Sequence, residues 1–344
     1  MISHQMKNTK LVQTLALAVI STFASVGKMS AETLKVGTST YPGWMDNWLM
    51  EMKLNGPKEA TILEKRTKAA GVTVEIKKFP LYIPSVEALV SGDVDACTMA
   101  IQEAVTIVAD KGIEAVILLP HDYSNKNDQV QIPTSWKPDE VKGKTFLLEE
   151  FSVSHYLLYR FLQTKNYPLK DYVTIKNTPG DNVAPAYIAA LENTPVGGVT
   201  WNPGCQRMLE TGKSQTIFSS RDIPGEITDC LVIRKDRIAG REKAIAAYIA
   251  AHFDVMDYMV NPATRQKAIR AMAVASGFKP EEANIYSRML DNTRFYVTRK
   301  EAKEALNAPE LAATVEKVKG FYATYGEPNA KAPAIKFDAS FLGE

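Results

Sequence analysis

Three cysteines and four histidines in 344 residues leave little material for a disulfide framework or for metal chemistry. The odd count of Cys97, Cys205 and Cys230 excludes a fully paired set. Only Cys205 with Cys230 comes into question, and buried free thiols are the simpler expectation. His4, His121, His155 and His252 show no zinc-ligand spacing, so no metal site is expected. The chain also lacks a G-x-S-x-G elbow, a P-loop, and a G-x-G-x-x-G after a strand pattern. Those gaps remove the common sequence signs of nucleophilic catalysis and of nucleotide cofactors. His121 beside Asp122 is half of a catalytic pair, but no serine or cysteine stands in a strained-turn context to complete it. A locally hydrogen-bonded histidine at a strand end is the expected reading.

Charge of one sign is missing too. The formal charge is +2, from 41 Lys and Arg against 39 Asp and Glu. There is no basic run to follow a nucleic acid or an anionic membrane. A long apolar segment is absent beyond the start of the chain. There, Lys7 and Lys10 precede the apolar stretch Leu11–Phe23, followed by small residues through Ser30 and Ala31. That order is expected of a cleaved export signal over residues 1–31, and the stretch is too short to span about 30 Å of hydrocarbon. Removing it takes away Lys7, Lys10 and Lys28 and no acid, leaving 38 against 39 charges, or −1. No cysteine follows the signal closely, so no lipid anchor is expected and the mature chain is expected free in the periplasm.

What is present is an alternation of short apolar runs with amphipathic helical stretches. Strands are expected at Leu34–Val36, Val72–Ile76, Ala96–Met99 and Glu114–Leu119, with helices between them. The grammar repeats from Val130–Ile132 through Thr145–Leu148, Val173–Lys176, Val199–Trp201 and Ser214–Phe218 to Leu231–Ile233. From Arg241 onward the pattern is helical. Such a succession predicts two α/β lobes with mostly parallel sheets. The expected boundaries are 32–127 plus 234–344 for the first lobe and 128–233 for the second, with crossings near Asn127–Val130 and Cys230–Ile233.

Open α/β sheets bind ligands at the carboxyl ends of their strands, so the loops there hold the candidate residues. Tyr41 and Trp44, around Pro42–Gly43, offer flat rings after the first strand. Gln102 stands beside Glu103 at a helix start, and Asp128 stands where the chain crosses. Glu150 and Ser152 lie between a strand and a helix N-terminus, where the protein's own carboxylates face exposed amides. Trp201 and Asn202 end another strand, and the loop Ile223–Asp229 carries Glu226 and Asp229. These loops are rich in acids and rings and poor in Lys and Arg, a balance suited to a small cationic or hydrogen-bond-donating solute. Helix capping and turn chemistry are the plainer explanation for each acid taken singly.

At Tyr41–Trp44, Asp95–Cys97, Asp122–Asn125, Ser152–Leu158, Thr200–Pro203 and Ile223–Ile227 the chain resembles the nitrate/taurine-type solute-binding proteins of ABC importers. More narrowly it resembles the branch found beside urea carboxylase genes. The resemblance implies a type II periplasmic binding protein fold, a permease with its ATPase as partners, a monomer, and a guanidine- or urea-like solute captured without turnover and without a cofactor. It places Trp44, Glu150, Trp201 and Glu226 in the cleft. The alternatives it leaves open are taurine or an alkyl sulfonate, nitrate, a pyrimidine precursor, or a pyrimidine-synthesis enzyme on the same fold. Lys126 stands where relatives more often carry glycine, and Asn55–Thr61 looks like an insertion.

Overall fold

The computed structural model describes residues 32–343, so the expected export signal over residues 1–31 lies outside the described residues. Four strands open the chain: β1 (Thr33–Thr38), β2 (Thr73–Lys78), β3 (Ala96–Ala100) and β4 (Ala115–Ser124). Five follow in a second group: β5 (Asp128–Pro133), β6 (Thr145–Leu148), β7 (Thr174–Asn177), β8 (Gly197–Trp201) and β9 (Ser214–Ser219). The chain then returns through β10 (Thr228–Arg234), β11 (Thr293–Phe295) and β12 (Lys336–Phe337).

The first sheet has the order β11-β4-β10-β3-β1-β2, with β12 also pairing β4, and the second has the order β7-β6-β8-β5-β9. Each sheet is flanked by helices, so the molecule is two α/β lobes of the periplasmic binding protein type. The sheets are mixed rather than mostly parallel. β10 runs antiparallel to both β3 and β4, and β5 runs antiparallel to both β8 and β9. The reason is topological. A helical crossover returns the chain to the same end of a sheet and gives parallel neighbours. β5 and β10 instead arrive directly from the other lobe, and so enter at the end where β8 and β3 finish.

The crossings are residues 125–127 and 220–227. The second lies several residues before the expected Cys230–Ile233, because Thr228 and Asp229 already pair with β4. The expected second-lobe boundary at 233 therefore falls at the far end of a strand of the first sheet. The C-terminal region holds the helices Glu242–Val260, Pro262–Ala275, Ala283–Leu290, Arg299–Asn307 and Pro309–Tyr325. It also supplies β11 and β12, which are 3 and 2 residues long and too short to show a period in sequence.

One buried apolar cluster runs through both lobes, from Leu34 and Val36 of β1 to Val130 of β5 and Val199 of β8. A smaller cluster of Leu147, Val183, Tyr187 and Met208 fills the far face of the second sheet. Cys97, Cys205 and Cys230 are buried and free. They act as small apolar side chains.

Candidate functional site

Where the two sheets meet, strand ends and helix starts from both lobes enclose a small cavity. The first lobe lines it with Tyr41, Trp44, Tyr82, Ala100 and Asp229, and the second with Asp128, Val153 and Trp201.

Local sequence explains how the walls are held. After β1 the chain makes a tight helical turn at Pro42–Trp44, with proline at its first position where no amide partner is needed. A Cβ on Gly43 would stand 2.3 Å from Asp122 Oδ2, so only glycine lets this turn lie on the carboxylate of β4. Similarly, a Cβ on Gly180 would stand 2.1 Å from the Trp201 ring, and the missing side chain lets the indole lie against the helix Gly180–Ala190. The rings form a continuous path across the cleft. Tyr41 and Trp44 are 5.1 Å apart by centroid, Trp44 and Tyr82 are 5.0 Å, and Tyr82 and Trp201 are 5.6 Å. These tilted and edge-on contacts have favourable quadrupole geometry.

The polar part of the site is carboxylate. Asp229 of β10 pairs in register with Asp122 of β4 and with Ala100 of β3, so the two acids sit side by side across adjacent strands. Asp128 approaches from the start of β5. All three are almost fully buried; Asp128 Oδ2 has no hydrogen-bond partner, and the Asp122 and Asp229 carboxyls pair with each other. The Tyr41 hydroxyl and the Trp44 indole N–H are likewise buried without a partner. Among the described residues, no Lys or Arg lines the cavity. Loss of solvation pushes Asp128 up to about 7, against the hydrogen bond from Ser124. Burial above all, with the charge of neighbouring acids, drives Asp122 and Asp229 well above the usual carboxylate range. An uncompensated buried carboxylate is costly. Burial therefore favours the neutral form of these acids in the absence of a partner.

Behind this wall lies a second buried group. His252 Nδ1 is 2.8 Å and His121 Nδ1 is 3.5 Å from Asp46 Oδ2, and the two imidazoles meet edge to face at 4.7 Å. One carboxylate oxygen and one nitrogen from each ring lie within 4.8 Å of one another, a carboxylate–imidazole donor set of the kind zinc accepts. Burial works to raise Asp46, but the charge and hydrogen bonds of His121 and His252 outweigh it and bring its pKa to about 2. No motif spacing announces this group, since its members come from three distant parts of the chain. It ties the turn after Trp44 to β4 and to the helix Glu242–Val260.

The structure brings four of the sequence-predicted residues to the cavity: Tyr41, Trp44, Asp128 and Trp201. Five are elsewhere. Glu150 is exposed, and its backbone N–H bonds Asn177. Glu226 is buried but already occupied, by the Tyr156 hydroxyl at 2.7 Å, Arg160 Nε at 2.7 Å and Lys317 Nζ at 2.7 Å. Ser152 serves as the plain cap of the helix Val153–Thr164, accepting from Ser154 N–H at 3.1 Å. Asn202 is used at the crossing, donating to Asn127 Oδ1 at 2.8 Å and accepting from Gln206 N–H at 3.1 Å. Gln102 donates to the Glu226 carbonyl at 2.8 Å and lies beside the cavity without lining it. Lys126, expected as a cation near the cleft, does not line the cavity. Its backbone takes φ of 96°, a region that favours glycine, and its N–H bonds Ser220 Oγ. Tyr82 was missed altogether. Its signal was its place at the start of the helix that follows β2, a strand-end position like the others.

No family model matches the chain. It is 27% identical over 280 residues to the taurine-binding periplasmic protein of Escherichia coli (strain K12), covering 79% of this chain and 83% of that protein. Among solved structures it is similar to the alkanesulfonate-binding protein of Xanthomonas axonopodis pv. citri bound to MOPS, with a TM-score of 0.66, 14% identity and coverage of 90% of this chain and 100% of that one. It is also similar to the periplasmic nitrate-binding protein of Synechocystis PCC 6803, with a TM-score of 0.59, 11% identity and coverage of 89% and 92%. At such identities the structures show the fold alone. The relatives named are solute-binding proteins rather than enzymes. The comparisons show likeness to taurine-, alkanesulfonate- and nitrate-binding periplasmic proteins, and the fold they share.

Proposed function

We propose that this chain is the solute-binding component of an ABC importer, working in the periplasm, and that its solute is a small nitrogenous cation of the guanidinium type. The observation that carries the reading is the pair of buried carboxylates Asp128 and Asp229, from opposite lobes, with an unpartnered oxygen on Asp128, in a ring-walled cavity that, among the described residues, no Lys or Arg lines. A sulfonate or nitrate head would meet those acids with unfavourable charge. A planar guanidinium presents forked N–H donors that match carboxylate geometry, and its faces suit indole and phenol rings. A charge-assisted hydrogen bond contributes about 1.5–3 kcal/mol and a desolvated cation–π contact about 2 kcal/mol. The narrower sequence resemblance to the urea-carboxylase-associated branch points the same way.

In this reading the lobes close about the two crossings, sequestering the solute, and a permease with its ATPase receives the closed form. Asp128 and Asp229 accept the solute's N–H groups from opposite lobes, and Trp44, Tyr82 and Trp201 wall its faces. Calorimetry of the mature protein against guanidinium chloride, urea, taurine, nitrate and a hydroxymethylpyrimidine decides the class. Micromolar guanidinium binding is expected, with no response to nitrate. Tight binding of taurine or nitrate with none of guanidinium would overturn the solute and leave the receptor role standing.

A further inference from the structure

Two helices that begin at the cavity are capped from the opposite lobe. The helix Val153–Thr164 of the second lobe starts at Val153, whose N–H donates to Glu103 Oε1 of the first lobe at 2.7 Å. Glu103 Oε2 accepts from the Tyr82 hydroxyl at 2.8 Å, and that hydroxyl accepts in turn from Ala100 N–H at 2.9 Å. The helix Tyr82–Ser91 of the first lobe follows Leu81, whose apolar side chain makes no cap. The Tyr82 N–H donates instead to Asp181 Oδ2 at 3.1 Å, from the first turn of the helix Gly180–Ala190 in the second lobe. The amides of a helix's first turn have no partner within their own helix, and a carboxylate there gains from the helix dipole.

We propose that Glu103 and Asp181 are positioning residues that clasp the lobes shut by exchanging helix caps. The inference rests on the reading of the chain as a two-lobed receptor that opens and closes. Tyr82 and Val153, the two residues capped, are themselves walls of the cavity. Each lobe therefore fixes a wall residue belonging to the other. Among the described residues the chain crosses between the lobes at residues 125–127 and 220–227, and parting the lobes breaks both caps and returns two N–H groups to water. Closure thus carries a stabilisation of its own, and the clasp governs how fast a bound solute leaves. The two halves are unequal. Glu103 is fully buried, whereas Asp181 is exposed, so water competes for the second cap and not for the first.

Amide hydrogen exchange on the wild type, E103A and D181A, with and without guanidinium chloride, tests the clasp, together with stopped-flow measurement of guanidinium association and release. E103A should lose protection chiefly at Val153, and D181A chiefly at Tyr82. Release should quicken by about tenfold in E103A and by a few-fold in D181A, the range that loss of a cap implies, with association unchanged. E103Q and D181N, whose amide oxygens still accept, should restore part of the protection and of the slow release. A purely structural role would lower the melting temperature without this pairing of variant to amide. Unchanged protection at Tyr82 and Val153 in both alanine variants overturns the clasp. If wild-type protein ignores guanidinium, the solute assignment fails, and exchange in the solute-free protein still decides the clasp. Asp181 is exposed, so D181A carries the test should E103A not fold.

Discussion

Asp128 shows how one buried residue links stability to binding. Its carboxylate is 3% exposed, has an unpartnered oxygen, and is pushed up to about 7 by burial. Replacing it with asparagine removes the charge that a cation needs and the same charge that burial penalises. D128N should weaken guanidinium binding by at least tenfold, in keeping with a charge-assisted bond of about 1.5–3 kcal/mol. In solute-free protein at pH 8 it should also raise the melting temperature. Calorimetry and differential scanning fluorimetry on one preparation check both arms. Glu150 provides the control. It is exposed and lies outside the cavity wall, so E150A should leave affinity within about twofold, the scale of surface substitutions. A tenfold loss there would return Glu150 to the site and displace the assignment made from the cavity.

At the scale of the element, the turn Pro42–Trp44 sets the distance between an aromatic wall and the acids behind it. The position a Cβ would take on Gly43 is 2.3 Å from Asp122 Oδ2, and Asp122 is itself fixed in the β4–β10 ladder. G43A must therefore move the turn outward, with Trp44, or push the buried Asp122 carboxyl aside. Overpacking of this kind typically costs about 1–3 kcal/mol. Urea unfolding should show a loss of that size, with guanidinium affinity falling in parallel. Full stability and affinity in G43A would mean that the turn has slack not evident in its packing.

At the scale of the molecule, the fold holds more buried acid than it can leave charged without a partner. Burial raises Asp128 and Glu149 to about 7 and Glu103 to about 8, whereas unfolded carboxyls titrate near 4. Between those values the native state holds protons that the unfolded state has released, so stability from these groups is complete below about pH 4 and lost as pH rises through 7 to 8. The melting temperature of solute-free protein should accordingly fall from pH 5 to pH 8. Guanidinium affinity should move the opposite way, since it needs Asp128 ionised, weakening by up to about tenfold per unit below pH 7. Thermal melts and binding isotherms across pH 5 to 8 test both slopes. Melting that rises over this window would show that the acids are already neutralised.

The alternation of apolar runs with amphipathic stretches was enough to read two α/β lobes, because burial on both faces of a sheet and on one face of a helix imposes periods visible along the chain. Tyr41, Trp44, Asp128 and Trp201 were legible too, each standing beside a strand end where such sheets leave their backbone open. Glu150 and Glu226 looked equally suitable, and sequence had no means of separating them. One points to solvent, and the other is neutralised by Arg160 and Lys317, which come from helices remote in the chain. Tertiary structure alone decided which acids remain without a cation, because pairing depends on distance in space. It alone brought Asp46, His121 and His252 together and set Glu103 and Asp181 on the opposite lobe's helices, because those contacts join residues remote in the chain.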